Sequence, residues 1–400
     1  GGVELPDEAS FKGYDLILDA LFGIGLKAEI IGRYADVISA VNRVDTPVIA
    51  IDIPSGVSAD TGQICGCAVQ ADLTVTMQYQ KLGQSLYPGA ALCGEILVKD
   101  VGITDLCVKW DSEPVYALEK KDLEDLLPAR YPDANKGTYG KLLLIAGTEG
   151  MAGAAVLCAG AALRCGCGLV KVLSAEKNRV ILQSSLPEAL FAPWPEDCDL
   201  TEHLAWADAV AIGPGLDTTL QCRHLLEFVL SRWDGPLIAD AGALNLIASD
   251  AALSKLLRPD TIITPHPGEM SRLSARFQTV ESSVLEINAD PVHSAVACAD
   301  AWNCICVLKG ARTVITDSRQ VWLNQYGNEG MAAGGSGDVL TGIIGSLLAQ
   351  GTDPVDAAKA GVLLHALSGD AAAGALGTRA MKAGDITAFL SRIFMDASSK

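Results

Sequence analysis

The sequence predicts an α/β protein of two domains, in which strands alternate with helices. Short apolar runs recur along the chain, and stretches between them carry apolar residues at helical spacing, which is the pattern of strand–helix–strand units. Forty glycines and only 5% aromatic residues suit a compact fold with tightly packed helices. A length of 400 residues exceeds what one ordinary core organises, so two domains are expected.

Charge and cysteine content exclude several classes of protein. A net charge of −18 leaves no basic surface for nucleic acid, so an anionic ligand must be bound locally, through amides and a few Lys or Arg. No signal peptide and no apolar run of membrane-spanning length is present, which predicts a cytoplasmic protein with no membrane partner. Buried free thiols are expected, because the twelve cysteines show no zinc spacing and include the C-x-C pairs Cys65/Cys67, Cys165/Cys167 and Cys304/Cys306.

The first domain is predicted from strands that end in polar residues. The run at 14–22 contains Asp19 and leads into a glycine-bearing turn, and the run at 47–53 contains Asp52 and leads to Ser55. Two more strands are expected at 72–77 and 94–98, with Lys81 between them. Open parallel sheets bind ligands at such strand ends, although a carboxylate there can equally cap the next helix.

Three groups of motifs in this segment carry a family resemblance. D-A-L-F-G-I-G-L at 19–26, A-I-D-I-P-S-G-V-S-A-D-T-G at 50–62 and the series from A-D-L-T-V-T to G-E-I-L-V-K-D-V-G-I resemble the YjeF N-terminal domain, an NAD(P)HX epimerase with a Rossmann-like fold. The resemblance covers about residues 14 to 104, within a domain expected at 1–107. It implies that Asp19 and Ser55 are potassium ligands and that Asp52 contacts the substrate and transfers a proton. It also implies that the substrate is lined by Gly23, Ile24, Gly25, Leu26, Lys27, Ala28 and Glu29.

The beginning of the chain bears on that activity. Residue 1 is Gly, and the first strand-like run arrives by residue 14, so the chain looks truncated. The family's upstream Asn/Gly-rich loop, which holds substrate and potassium, has no counterpart here. We therefore expect the epimerase activity to be compromised.

The second domain, expected at 108–400, is predicted to gather polar residues along one sheet edge. Residues 109–132 are charged and contain prolines, which predicts a linker with a lead-in helix at 118–127. Beyond them, strand–helix alternation resumes, and the carboxyl ends of parallel strands lie along one edge of a sheet, so one crevice is expected. The strand ends that supply it are Gly213 to Gly215, Asp240, His266 and Lys309 to Thr313.

A glycine-rich stretch at 328–338, followed by an apolar run at 339–344, organises this crevice. Amides free of side chains at a helix N-terminus suit phosphate oxygens. Asp338, at the end of the turn, would take a proton from a substrate hydroxyl that attacks a bound phosphate. The simpler interpretation is a glycine turn whose helix is capped by Asp338.

Four further residues are candidates for the crevice, two as cations and two with alternative interpretations. Lys309 and Arg312 are cations suited to neutralising transferred charge. His266 either hydrogen-bonds a substrate or satisfies a neighbouring carbonyl. Asp240 either holds a magnesium-bound water or caps a helix.

Seven ordered motifs make residues 115–395 similar to the YjeF C-terminal domain, the ADP-dependent NAD(P)H-hydrate dehydratase. They include N-K-G-T-Y-G-K-L-L-L-I-A-G, T-P-H-P-G-E-M, V-L-K-G-A-R-T-V-I and G-N-E-G-M-A-A-G-G-S-G-D-V-L-T-G. The resemblance implies a ribokinase-like three-layer α/β/α fold. It also implies dehydration of (6S)-NADHX or NADPHX to NADH or NADPH, with ADP as phosphoryl donor, Mg²⁺ as cofactor, and AMP and phosphate released.

The same resemblance implies roles for individual residues. The hydrated nucleotide would contact Ala154, Gly215, His266 and Asp338. The adenine nucleotide would be held by Lys309, Gly310, Ala311, Arg312, Thr313 and Gly337. Asp338 would be the catalytic base.

Two other functions remain as alternatives. A ribokinase-fold kinase for a vitamin-precursor alcohol would use the same glycine turn, but the T-P-H-P-G-E stretch and the epimerase-like segment favour the dehydratase. A non-catalytic binding module is disfavoured by the presence of Asp338, Lys309 and His266 together. The small-residue helices also predict a homo-oligomer.

Overall fold

The computed structural model describes residue 11 and residues 13–104, 114–278 and 280–398. The chain divides into two compact units, Gly1–Ser112 and Glu113–Lys400. Each unit has its own hydrophobic core.

The first unit is a four-stranded parallel sheet in the order β1-β2-β3-β4. The strands are β1 (Ile17–Asp19), β2 (Val48–Ile51), β3 (Leu73–Met77) and β4 (Glu95–Lys99), and the helices are α1 (Arg33–Val41) and the single turn α2 (Leu82–Ser85). Side chains alternate between faces, so Ile17 and Asp19 are buried while Leu18 is 61% exposed. The four predicted strands are confirmed: the first three are shorter than predicted, and the fourth is shifted by one residue.

The second unit is built on a ten-stranded sheet in the order β5-β14-β13-β12-β11-β10-β9-β6-β7-β8. Its strands are β5 (Val115–Ala117), β6 (Lys141–Ile145), β7 (Leu169–Ser174), β8 (Leu190–Pro193), β9 (Ala209–Ile212), β10 (Leu237–Ala239), β11 (Thr261–Ile263), β12 (Ile305–Leu308), β13 (Val314–Thr316) and β14 (Val321–Leu323). Strands β9 to β12 are buried at every position and carry almost only apolar residues, because helices cover both faces of the sheet.

Thirteen labelled helices belong to the described part of this unit. They are α3 (Leu123–Leu126), α4 (Ala152–Arg164), α5 (Arg179–Ser185), α6 (Thr201–Trp206), α7 (Leu220–Arg232), α8 (Gly242–Ser249), α9 (Ala251–Ser254), α10 (Pro267–Ser274), α11 (Val284–Ala289), α12 (Pro291–Trp302), α13 (Ser336–Ala349), α14 (Pro354–Leu376) and α15 (Ala383–Ser398). Short 3-10 turns lie at Gly89–Leu92, Lys120–Asp122, Glu176–Asn178 and Glu329–Met331.

Helix α13 is the central helix of the second unit and is buried from Val339 to Ala349. It packs closely on α4, because a Cβ atom placed on Gly342 would lie only 2.1 Å from the backbone oxygen of Cys158. Gly342, one of the small residues that led us to expect self-association, therefore serves packing within the unit.

The prediction of a linker at 109–132 is wrong for residues 115–126, which belong to the second unit. Val115–Ala117 is an edge strand that pairs in parallel with β14, and Leu118 and Leu123 are buried in the core. The expected helix at 118–127 is a 3-10 turn followed by the one-turn helix α3. A three-residue edge strand among charged residues carries too little periodicity to be separated from a linker.

The antiparallel part of the sheet was also not predicted. Strand β13 runs antiparallel to both β12 and β14. The connecting turn contains Ser318 at φ 73, and Asp317 accepts the N–H groups of Arg319 and Gln320. No glycine marks this turn, so the usual hairpin signal is missing.

The expectations for thiols and membrane segments can be compared directly with the described residues. All eleven cysteines in the described ranges are free and nine of them are buried, which confirms the expectation of buried free thiols. No helix in those ranges has both the length and the apolarity needed to cross a membrane.

Candidate active site

The glycine-rich stretch ends where α13 begins, at Ser336. Gly335 is the N-cap residue in a left-handed conformation (φ 92), which favours glycine. Asp338 is therefore the third residue of the helix and lies in its first turn. The interpretation of Asp338 as the helix cap is wrong.

The ends of β10 and β12 bring Asp240 and Lys309 together beneath this turn. Lys309 Nζ lies 2.7 Å from Asp240 Oδ1 and 3.8 Å from Glu269 Oε2. Thr341 Oγ1 donates to Asp240 Oδ2 at 2.8 Å. A Cβ atom on Gly337 would lie 3.3 Å from Lys309 Nζ, so the ammonium group is directly below the glycine turn.

Charges in this cluster give Asp338 and Lys309 different properties. Burial, and then the negative charges of Asp240 and Glu269, raise the pKa of Asp338 to about 6, although Lys309 opposes this. Burial lowers the pKa of Lys309, but Asp240 and Glu269 outweigh burial and bring it above its usual range. At neutral pH, Asp338 is therefore an ionised base near its pKa, beside a lysine that keeps its charge.

The structure contradicts the interpretation of Asp240 as a helix cap. Helix α8, which follows β10, has Ala241 at its N-cap and no side-chain cap. Both carboxylate oxygens of Asp240 are engaged, by Lys309 and by Thr341. Within the ranges that the structure describes, no three His, Cys, Asp or Glu side chains form a group that could hold a metal ion.

His266 is the N-cap residue of α10. Its Nδ1 accepts the N–H groups of Gly268 at 3.0 Å and Glu269 at 3.4 Å, and Glu269 Oε2 accepts the His266 N–H at 2.8 Å. This is a reciprocal capping box, with Pro267 at the first helical position. The ring accepts from amides, so the interpretation that it satisfies a carbonyl is wrong. Its side chain remains 52% exposed.

Ala154, in the first turn of α4, meets Gly215, which lies in the loop after β9. Gly215 has φ 65, and a Cβ atom there would lie 3.0 Å from the Cβ atoms of Ala154 and Met151. The N–H and hydroxyl groups of Thr148 both donate to the Gly215 oxygen, at 2.8 Å and 3.0 Å. The loops after β6 and β9 are thereby fixed against each other.

The loop between β12 and β13 carries the other predicted nucleotide residues. Gly310, Ala311, Arg312 and Thr313 follow Lys309 directly, at the edge of the sheet where Lys309 meets Gly337. Arg312 Nη1 donates to the Gln325 oxygen at 2.7 Å, which ties this loop to the segment after β14.

Helix α14 supports the glycine-rich stretch through two residues that the sequence did not reveal. His365 Nε2 lies 3.0 Å from the Ser336 oxygen, and burial lowers its pKa to about 4, so the neutral ring donates to that oxygen. Asp370 accepts the Gly327 N–H and the Asn328 side-chain amide, both at 2.9 Å. The only available signal was a His and an Asp in the largely apolar part of this helix that follows Lys359.

The first unit contains a second polar cluster after β2. Asp52 has φ 70 and forms an ion pair with Lys81, whose Nζ also donates to Thr76 Oγ1. Burial acts to raise the pKa of Asp52, but hydrogen bonds from Lys81 and the Met77 N–H outweigh burial and lower it. Lys81, which carries no role in the sequence prediction, is therefore the partner of Asp52.

Asp19 and Ser55 also meet, and both are buried. Ser55 donates to Asp19 through its N–H at 2.7 Å and through its hydroxyl at 2.6 Å. Asp19, Asp52 and Ser55 do not cap a helix, because the N-cap residues of α1 and α2 are Gly32 and Lys81. The Phe22 N–H donates to Ser55 Oγ at 2.9 Å, so the predicted lining residues 23–29 leave directly from this pair.

The second unit has the properties of a nucleotide-dependent enzyme of the ribokinase-like class. A largely parallel sheet is covered by helices, and a glycine turn, a partly buried lysine and a carboxylate of raised pKa meet at its carboxyl edge. A solved ribokinase-like protein from Enterococcus faecalis superposes with a TM-score of 0.65 at 28% identity, over 73% of this chain and 99% of its own.

Sequence comparison then identifies the family. Residues 142–392 match the family model described as NAD(P)H-hydrate dehydratase, and residues 3–83 match the model of the YjeF-related protein N-terminus. The chain belongs to the NAD(P)H-hydrate dehydratase family and carries a YjeF N-terminal segment. Both fold predictions are thereby confirmed.

Individual relatives agree with this assignment. The bifunctional NAD(P)H-hydrate repair enzyme Nnr of Moorella thermoacetica is 40% identical, over 94% of this chain and 72% of its own. The enzyme of the same name from Escherichia coli is 38% identical, over 96% and 72%. The ADP/ATP-dependent NAD(P)H-hydrate dehydratase of Bacillus subtilis, co-crystallised with ATP/Mg²⁺, superposes with a TM-score of 0.63 at 32% identity, over 71% of this chain and 99% of its own.

Proposed function

We propose that this chain dehydrates (6S)-NADHX and (6S)-NADPHX to NADH and NADPH, with ADP as phosphoryl donor and AMP and phosphate as the other products. The observation that carries the proposal is Asp338, a carboxylate with a pKa of about 6, in the first turn of the helix that follows the glycine turn and near Lys309. A base and a cation at a helix N-terminus are what transfer of a phosphoryl group to a hydroxyl requires.

The proposed reaction has two steps. Asp338 takes the proton of the C6 hydroxyl, whose oxygen attacks the β-phosphorus of ADP while the bond from that phosphorus to the bridging oxygen breaks and AMP leaves. The C6–O bond then breaks with its electron pair on the departing phosphate, and C5 gives a proton to water, which restores the C5–C6 double bond. Lys309, Gly337 and the loop from Gly310 to Thr313 would hold the nucleotide, and Ala154, Gly215 and His266 the hydrate.

Magnesium fits this crevice as a companion of the nucleotide. Mg²⁺ prefers carboxylate, phosphate and water oxygens, and it would offset the negative charge of the ADP phosphates. Asp240, Glu269 and Asp338 are the carboxylates of this cluster that would contact its bound water.

The donor is tested by supplying chemically prepared NADHX with ADP, ATP or no nucleotide and following NADH absorbance. ADP-dependent NADH formation supports the proposal. NADH formation with ATP alone would support the dehydration reaction but contradict ADP as the phosphoryl donor. If neither nucleotide supports formation, the dehydratase proposal fails, and phosphorylation of vitamin-precursor alcohols becomes the next assay.

For the first unit we propose a potassium ion at Asp19 and Ser55, and proton transfer by Asp52 during epimerisation of the hydrates. The Asp19 carboxylate, Ser55 hydroxyl and Phe22 carbonyl oxygens converge there, and K⁺ is bound by such oxygens. We expect K⁺ to raise the unfolding temperature more than Na⁺ does, and Asp19→Asn to remove the difference. An equal response to both ions would contradict the site.

The remaining proposals concern the whole chain. We propose domains at 1–107 and 108–400, action in the cytoplasm as a homo-oligomer, and no nucleic-acid partner, which the net charge of −18 supports. Light scattering at several protein concentrations tests the oligomer, and a monomer throughout would overturn it.

A further inference from the structure

We propose that the second unit has a second ligand site, remote from the catalytic crevice, which binds a small molecule that carries a carboxylate on an apolar body. The site is a cavity of about 360 Å³ beside the C-terminal end of α13. Its walls are apolar and two arginines lie among its lining residues. The site does not depend on the proposed dehydration.

The cavity lies at the amino edge of the second sheet, whereas the crevice lies at the carboxyl edge. Leu347 and Gln350, at the end of α13, line the cavity, and Asp338 lies in the first turn of the same helix. A Cβ atom on Gly140, which directly precedes β6, would lie 1.7 Å from the Ala349 oxygen, so this end of α13 meets the start of that strand. Helix α13 is about 20 Å long, and this length separates the two sites.

The apolar lining comes from elements that are distant in the sequence. Leu123 of α3 and Leu347 of α13 are each 1% exposed and line the cavity. Leu127, Pro128 and Phe394 add further apolar surface. Burial against such walls favours a hydrocarbon or aromatic body, and the volume is that of a pocket for a small molecule.

Two arginines give the cavity a positive charge. Within residues 114–278 and 280–398, Arg164 in the last turn of α4 makes no ion pair and no side-chain hydrogen bond. Arg130 donates through Nη2 to the Gly166 oxygen at 2.6 Å and to Gln350 Oε1 at 3.1 Å. Glu124 is the one carboxylate among the lining residues, so the net charge is that of one cation. This charge suits a monoanion, and guanidinium groups bind carboxylates through paired hydrogen bonds.

The N-K-G-T-Y-G stretch at 135–140, which supplies none of the residues assigned to the crevice, holds Arg130 in place. The Arg130 Cζ atom lies 3.9 Å from the centroid of the Tyr139 ring. The Tyr139 hydroxyl accepts the Tyr131 N–H at 3.0 Å and donates to the Tyr131 oxygen at 3.2 Å. Stacking and hydrogen bonds therefore fix Arg130 before a ligand binds, which lowers the entropic cost of binding.

Octanoate is a suitable probe, because it has both a carboxylate and an apolar body. We expect radiolabelled octanoate to bind the full chain in equilibrium dialysis near pH 7. Octanol lacks the charge and acetate lacks the body, so each should need a concentration at least about tenfold higher to displace the probe. Absence of octanoate binding, or equal displacement by octanoate and octanol, would overturn the site.

Competition with nucleotide tests where the probe binds. Because the crevice lies at the other end of α13, saturating ADP should leave octanoate binding unchanged. Displacement of octanoate by ADP would place the probe in the crevice and overturn the second site.

Two arginine variants test the location directly. Arg164 and Arg232 are both exposed and each lies in the last turn of a helix, α4 and α7, so their substitution removes the same charge from the same kind of position. We expect Arg164→Gln to weaken octanoate binding by roughly threefold to tenfold, and Arg232→Gln to leave it unchanged. Both proteins should unfold near the wild-type temperature, because neither arginine is buried. Equal octanoate affinities of the two variants would overturn the proposal.

Discussion

Asp338 lies at the proposed catalytic position, in an environment that disfavours its ionised form. Its pKa of about 6 arises from burial and from the charges of Asp240 and Glu269, groups that lie far away in the sequence. The sequence could place Asp338 after a glycine turn, because that information is local. It could not show that Asp240 engages Lys309 and Thr341, because these partners meet only when separate elements pack together.

The ionisation of Asp338 predicts the pH dependence of turnover. As a base it must be deprotonated, so we expect kcat/KM to rise with pH through about 6 and then level off. Asp338→Asn should abolish NADH formation while ADP binding, measured by calorimetry, changes little. Near-normal turnover in this variant would exclude Asp338 as the base.

The same raised pKa predicts an effect on stability. An unfolded aspartate ionises near 3.8, so the protonated form of Asp338 stabilises the fold at low pH, and this stabilisation is lost as pH rises through about 6. Asparagine does not ionise. We therefore expect Asp338→Asn to raise the free energy of unfolding by about 1–3 kcal/mol near pH 7, with a smaller gain near pH 4. Denaturant titrations at both pH values check this, and equal gains would contradict it.

At the scale of elements, the packing of α13 on α4 determines where the glycine turn lies. The sequence predicted both helices from their apolar runs. It could not predict that Gly342 touches the backbone of Cys158, because a glycine inside a helix carries no signal of what it contacts. The anchoring of the turn by His365 and Asp370 was missed for the same reason, since α14 is distant in sequence.

Two glycines of α13 make a matched pair for testing this contact. A Cβ on Gly342 would lie 2.1 Å from a backbone oxygen, whereas one on Gly345 would lie 3.2 Å from a methyl group of Leu142. Alanine normally favours a helix over glycine by about 1 kcal/mol. We expect Gly345→Ala to be nearly neutral and Gly342→Ala to lower the free energy of unfolding by about 1–3 kcal/mol. Equal unfolding midpoints for the two variants would show that α4 and α13 can move apart without cost.

At the scale of the whole molecule, the two units have separate sheets and separate cores. Two domains could be predicted because length and the recurrence of strand–helix patterns are properties of the sequence. The short strand β5 could not be predicted, because it pairs with β14 and so joins residues 115–117 to the distant residues 321–323. That pairing makes residues 115–117, which lie in the charged stretch, a part of the second sheet.

This arrangement predicts that the second unit works alone. A fragment of residues 113–400 keeps β5 and the buried Leu118, Leu123 and Leu126, and it corresponds to the 71% of the chain that superposes on almost the whole Bacillus subtilis dehydratase. We expect it to unfold cooperatively and to form NADH from (6S)-NADHX at the rate of the full chain. A fragment beginning at residue 128 loses the edge strand and three buried leucines, and each buried leucine is worth about 1.5–3 kcal/mol, so it should unfold at a much lower temperature. Equal stability of the two fragments would show that β5 is not part of the second core, and an inactive but folded 113–400 fragment would show that catalysis requires residues of the first unit.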